Sequence, residues 1–155
     1  LKDKYSKQTK LIEIIEKPLW TVTGKTATDT LIPDIVSVSV VNGEWQFLIF
    51  DAKYYNAKLE PGMSPKAQPG IESVTKQYLY QLAYQEFIDE HNFSSVKNCF
   101  ILPTEDDAVL DKEEVSLQML SKIGLQSIKV RFLPAKMAYE NYLSGRKLDI
   151  ALLKL

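Results

Sequence analysis

The sequence predicts an α/β domain in which a central mixed β-sheet, opened by a hairpin, is flanked by helices. Three observations carry that expectation. Two runs rich in strand formers, Ile35 to Val41 and Glu44 to Phe50, flank Asn42-Gly43, the dipeptide that best supplies the two positive φ angles of a type I′ turn. Ile71 to Glu90 carries apolar residues at helical spacing with no internal glycine or proline. Beyond it, strand-like runs alternate with helix-like ones, the order that favours a mixed sheet covered by helices.

Taken in order, Lys2 to Lys10 is polar and lysine-rich, and Leu11 to Glu16 is an apolar and acidic block ended by Pro18 that reads as a short helix or a strand. Gly24 to Thr30 is small and polar, a loop leading into the hairpin. The two-residue turn then fixes the hairpin register. With Val41 opposite Glu44, Val40 faces Trp45, Val38 faces Phe47, Val36 faces Ile49 and Asp34 faces Asp51, all on one side of the sheet, with Lys53 following on that side. Asn56 to Gly70 holds Pro61-Gly62, Pro65 and Pro69-Gly70 and reads as a long loop beside this end of the hairpin.

In the helix from Ile71 to Glu90, Leu79, Leu82, Ala83 and Phe87 form the apolar stripe and Gln77, Gln81 and Tyr84 an adjacent polar one. Val96 to Leu102 reads as a strand stopped by Pro103, and Ser127 to Leu133 as a strand stopped by Pro134. Between them, Asp111 to Ile123 has the spacing of an amphipathic helix with Gly124 as terminator, and Ala135 to Ser144 makes a last helix ended by Gly145. The Glu105-Asp106-Asp107 cluster reads as a charged loop.

Composition narrows the class. A chain of 155 residues, 45% hydrophobic and 25% charged, suits one soluble domain, and no apolar run approaches the length of a membrane span. Cys99 is the only cysteine and His91 the only histidine, which excludes an internal disulfide and a zinc centre built from several such ligands. The formal charge of −1 argues against a domain that grips a polyanion tightly by itself. The start at Leu1, without methionine, suggests a fragment of a longer chain, and the absence of a signal-like segment points to a cytoplasmic protein.

Two directly opposed aspartates hold their Cβ atoms about 5 Å apart, where like charges repel, so the Asp34/Asp51 pair calls for a counter-charge. Oxygen-only ligands of this kind suit Mg²⁺, with Mn²⁺ able to substitute. A lysine beside them, Lys53, would hold the attacking water and offset charge in a transition state. An ordinary strand-start aspartate and a surface ion pair are the plainer alternative.

Pro33-Asp34 and Asp51-Ala52-Lys53 match the signature of the PD-(D/E)XK nucleases. The run from Leu31 to Tyr84, through Asp51-Ala52-Lys53-Tyr54-Tyr55 and Lys76-Gln77-Tyr78-Leu79-Tyr80, resembles the nuclease subunits of LlaJI and McrC type, partners of GTP-driven restriction systems. The resemblance implies a Mg²⁺-dependent DNA endonuclease with Asp34, Asp51 and the Ala52 carbonyl as metal ligands and Lys53 as the water-positioning residue. It further implies a glutamate from a preceding helix at the metal, either Glu13, Glu16 or one upstream of Leu1, with Gln77 facing the site and Lys76 or Tyr80 near DNA. Lys58 and Lys66, in a loop expected to be mobile without DNA, would touch phosphate. The implied partners are a GTPase or ATPase motor subunit, a separate DNA-recognition domain and, for double-strand cleavage, a second copy. A nuclease-like fold kept as a binding module, or a repair or transposition nuclease, are the rival readings.

Overall fold

The computed structural model describes residues 11–26 and 29–155, so the lysine-rich stretch from Lys2 to Lys10 lies outside the described residues. Leu11–Glu13 forms a single turn of 3₁₀ helix. β1 (Leu19–Trp20) and β2 (Lys25–Thr26) make a small antiparallel ribbon turning at Gly24 with φ 63°, so that β2 occupies the start of the loop expected from Gly24 to Thr30.

The main sheet is built from β3 (Ile35–Val41), β4 (Glu44–Ala52), β5 (Ser95–Thr104), β6 (Leu110–Val115) and β7 (Ile128–Pro134), in the order β3-β4-β5-β7-β6. The β3–β4 hairpin has the register that its turn dictates, Val41 opposite Glu44 through Ile35 opposite Phe50. Asn42 and Gly43 take φ 53° and 83°, the two positive values of a type I′ turn. From β4 the sheet continues in parallel to β5 and β7, and β6 closes it antiparallel to β7.

One face is covered by α1 (Ile71–Ala83) and α2 (Gln85–Glu90). Val74 and Tyr78 pack on Phe100, Leu102, Ile128 and Val130, while Tyr80, Tyr84 and Ile88 pack on Phe47 and Ile49 of the hairpin. The single long helix expected from the sequence is therefore two. Tyr84, fully buried with φ −98° and ψ 2°, interrupts it and sets its ring 5.1 Å from that of Phe47. Tertiary packing here outweighs an unbroken run of helix formers.

The expected stripe assignment holds for Ala83 and Phe87, which pack against the core, and fails for the rest. Leu79 and Leu82 are 43% and 42% exposed, whereas Gln77, Gln81 and Tyr84 are buried. Residues 77, 81, 84 and 88 share a helix face as surely as any apolar set does, and the sheet supplies amide partners for it.

Three further expectations change. The segment read as a helix from Asp111 to Ile123 divides into the edge strand β6 and one short helix, α3 (Gln118–Ser121). A register shift between Asp111 and Glu113 breaks the strand's simple alternation, which is how it came to look helical. β5 does not stop at Pro103 but pairs Pro103 with Leu133 and Thr104 with Pro134, so Pro134 likewise ends β7 from inside it. The last helix, α4 (Ala135–Leu143), follows at once.

The opposite face buries Leu48, Phe50 and Cys99 under Leu153, which lies in a 3₁₀ turn at Ile150–Leu153. Arg131, 2% exposed, fastens that turn by donating from Nε to the Leu153 carbonyl at 2.6 Å and from Nη2 to the Lys154 carbonyl at 2.9 Å. Burial pushes the Cys99 thiol up to about 12, so almost no thiolate exists at neutral pH. Native Cys99 is expected to resist alkylation at pH 8 and to react within minutes once denaturant unfolds the chain; prompt labelling of the native protein would show that this face is open.

Candidate active site

The hairpin's chemistry lies at the carboxyl end of β4, where open α/β sheets place their crevices. Asp34 immediately precedes β3 and is exposed; its Oδ2 accepts a hydrogen bond from the Ala52 backbone N–H at 2.8 Å. This contact ties the first carboxylate to the residue next to the second. The Lys53 N–H donates to the Ile101 carbonyl at 2.8 Å, extending the parallel pairing one residue past β4 and fixing the backbone that carries the lysine.

Asp51 is 4% exposed, between the sheet and α1. Its Oδ2 is sealed from solvent and takes Lys53 Nζ as its partner, a charge-assisted contact at 2.6 Å. Burial pushes the Asp51 carboxyl above the usual carboxylate range, Lys53 pulls it back, and the neighbouring Asp34 carboxylate pushes it up again. Asp34, Asp51 and Lys53 are thus brought together, as the register requires.

The helix residues fall differently. Tyr80 is 1% exposed, with its hydroxyl donating to the Ile32 carbonyl at 2.8 Å, so its ring is not offered to DNA; it buttresses the chain two residues before Asp34. Burial, and then the charges of Asp51 and Asp34, push its phenol up to about 12, which keeps it a donor. Lys76 is exposed at the rim with Nζ 5.9 Å from the centroid of the Tyr80 ring. Gln77 is fully buried and donates from Nε2 to the Ile49 carbonyl at 3.1 Å, so it holds β4 rather than facing open space.

Asn98, which the sequence did not single out, joins this group. It donates from Nδ2 to Gln81 Oε1 at 2.6 Å, and its Oδ1 lies 3.5 Å from Gln77 Nε2. The signal was present as one amide in the otherwise apolar core run of β5, in register with Ile49. Asn98→Ala should cost about 1–3 kcal/mol by leaving Gln81 Oε1 buried without a donor, read by chemical denaturation; an unchanged midpoint would show that the amides are not coupled.

Glu13 and Glu16 are exposed, and no group of three metal-binding side chains exists among the described residues, so neither glutamate joins the aspartates. The Glu16 carbonyl accepts from Thr30 Oγ1 at 2.7 Å, a link that holds the strand-ward chain rather than a metal. Lys58 and Lys66 are exposed and pair with each other through main-chain bonds of 2.9 and 3.2 Å, closing the proline-rich loop at its base.

Residues 3–136 match the sequence profile of the LlaJI restriction endonuclease family. The chain is 26% identical over 146 residues to a Bacillus subtilis (strain 168) protein named Type II restriction enzyme BsuMI component YdjA, covering 92% of this chain but 30% of that protein. No solved structure matches it. With most of its length matched, and with the hairpin that carries its acidic pair inside the matched region, the chain belongs to the LlaJI restriction endonuclease family.

Proposed function

We propose that this chain is a DNA-cleavage domain of a restriction system, hydrolysing phosphodiester bonds with Mg²⁺ at a PD-(D/E)XK-type site. The observation that supports it is the convergence of Asp34, Asp51 and Lys53 at one strand end. The donor set suits a hard cation. Two carboxylates stand close enough for one to raise the proton affinity of the other, and the Asp51 oxygen, sealed and facing only an ammonium, is of the kind a divalent ion takes. Asp34, Asp51 and the Ala52 carbonyl would hold it. When bound, Mg²⁺ or Mn²⁺ supplies neutralising charge and a lower pKa for water at the scissile phosphate.

The chain's own groups do the rest. Lys53 brings its positive charge to the same point, to orient the incoming water and offset the charge that develops on the phosphoryl oxygens. Ala52 N–H keeps Asp34 aimed at the strand end, and Gln77 holds the strand that carries Asp51. Lys76 at the rim, with Lys58 and Lys66 on the loop, would meet backbone phosphate. A net charge of −1 supports delivery of DNA by other parts of the system, namely a GTPase or ATPase motor subunit and a separate recognition domain, in the cytoplasm.

The test is nicking of supercoiled plasmid by the protein with its system partners, in Mg²⁺, in Mn²⁺ and in chelator. Cation-dependent nicking is expected; absence of cutting with either ion would overturn the reading and favour a nuclease-like scaffold.

A further inference from the structure

The two edges of the sheet are built on opposite plans. Edge strand β6 reads Leu110-Asp111-Lys112-Glu113-Glu114-Val115, charged at its centre and interrupted by a register shift, the devices that stop an edge from recruiting another strand. Edge strand β3 reads Ile35-Val36-Ser37-Val38-Ser39-Val40-Val41, with no charge, no proline and no bulge. Among the described residues its outer side pairs with nothing, and Ile35 and Val40 are 51% and 48% exposed.

This strand is also nearly palindromic about Val38. Laid antiparallel against a second copy of itself, Val38 meets Val38, Ser37 meets Ser39, Val36 meets Val40 and Ile35 meets Val41. Like meets like at each position, with no opposed charges. The backbone phase fits as well. Val41 and Glu44 close a two-residue hairpin and exchange both hydrogen bonds, so residues 35, 37, 39 and 41 bond inward to β4 and the N–H and C=O groups of 36, 38 and 40 point outward. Those outward groups are the ones a two-fold at Val38 brings opposite each other.

We propose that β3 pairs with β3 of a second copy of this chain, joining two five-stranded sheets into one across a two-fold axis at Val38. The axis is normal to the sheet, so the two Asp34/Asp51 sites lie on the same face. Along the strands, the two Asp34 residues stand eight positions apart, about 27 Å at ~3.4 Å per residue. In so far as it assigns a purpose, this inference rests on the proposed nuclease reading: two sites related by a two-fold suit the two antiparallel strands of a duplex.

Sedimentation across the micromolar range tests the interface without reference to cleavage. The parent is expected to show a concentration-dependent dimer. Val40→Pro, which removes an outward N–H at an exposed position without touching a bond to β4, should be monomeric with its fold retained. Should the proline unfold the hairpin, Ser37→Lys with Ser39→Lys decides instead, because the pairing sets lysine against lysine and should abolish the dimer. Ser37→Cys with Ser39→Cys should give a covalent dimer on mild oxidation, since opposed residues that do not exchange hydrogen bonds sit close enough to bridge and Cys99 is buried. A parent that stays monomeric throughout, or a dimer unmoved by both edge variants, overturns the proposal. On plasmid, with the system partners present, the parent should produce linear product and Val40→Pro nicked circles. Loss of all nicking in the parent, with the dimer intact, would refute the nuclease reading and leave the interface standing.

Discussion

Lys53→Ala should retain its fold and cation binding yet cut DNA roughly 10²- to 10⁴-fold more slowly, the usual worth of one positioned proton-handling or charge-stabilising group. The lysine's backbone is pinned by Ile101 and its ammonium by Asp51, so truncation removes the charge without moving the strand. Asp51→Ala should lose cutting and cation binding together, because in the proposed site it removes a ligand rather than a helper. Initial nicking rates, with calorimetric titration of Mn²⁺, separate the two. A lysine variant that cuts at the parental rate would show that Lys53 only balances the Asp51 charge.

Asp51→Asn should stabilise the fold in chelator and lose that advantage in saturating cation. The sign follows from the raised carboxyl. Between the ordinary carboxylate pKa and its higher folded value, the folded chain binds the proton more tightly than the unfolded chain does, so stability without cation falls as pH rises through that window. An amide resembles the protonated form and removes the loss. With cation at a hundred times its dissociation constant, the parent gains about 2.7 kcal/mol that the variant cannot, and the order reverses. Asp34 behaves differently because it accepts from Ala52 N–H. Asp34→Asn keeps an acceptor and should be near neutral in chelator, while Asp34→Ala should cost about 0.5–1.5 kcal/mol. Denaturant melts with chelator and then with Mg²⁺ measure all three, and an asparagine at 51 that destabilises in chelator would mean the Lys53 pair outweighs burial.

The hairpin and its acidic pair were legible because everything that fixes them is local: Asn42-Gly43 sets the turn, and period-two alternation sets the faces. The fate of α1 was not legible in the same way. Gln77 and Gln81 are buried only because Asn98 and the Ile49 carbonyl, on two different strands, are there to receive them. Tyr80, which the resemblance would place near DNA, is held away from it for the same reason, since its partner carbonyl at Ile32 lies in another segment. The edge strand β6 escaped because its charges mark an exposed edge as readily as a helix surface, and only its pairing with β7 decides between them.

The spacing of these contacts along the chain bears on the order in which the molecule assembles. Asp34 reaches Ala52 across eighteen residues inside a single hairpin, a closure of the microsecond class. The Gln77 bond that docks α1 on Ile49 spans twenty-eight residues, and the parallel pairing of Ile49 with Asn98 spans forty-nine. The two carboxylates are therefore expected to meet while both are still in water, where their repulsion is weak. Desolvation of Asp51 would follow when β5 and the helix settle on the hairpin. On that order the electrostatic penalty of the site would fall on the docking step, and a cation present at that moment would act on folding speed as well as on the finished fold.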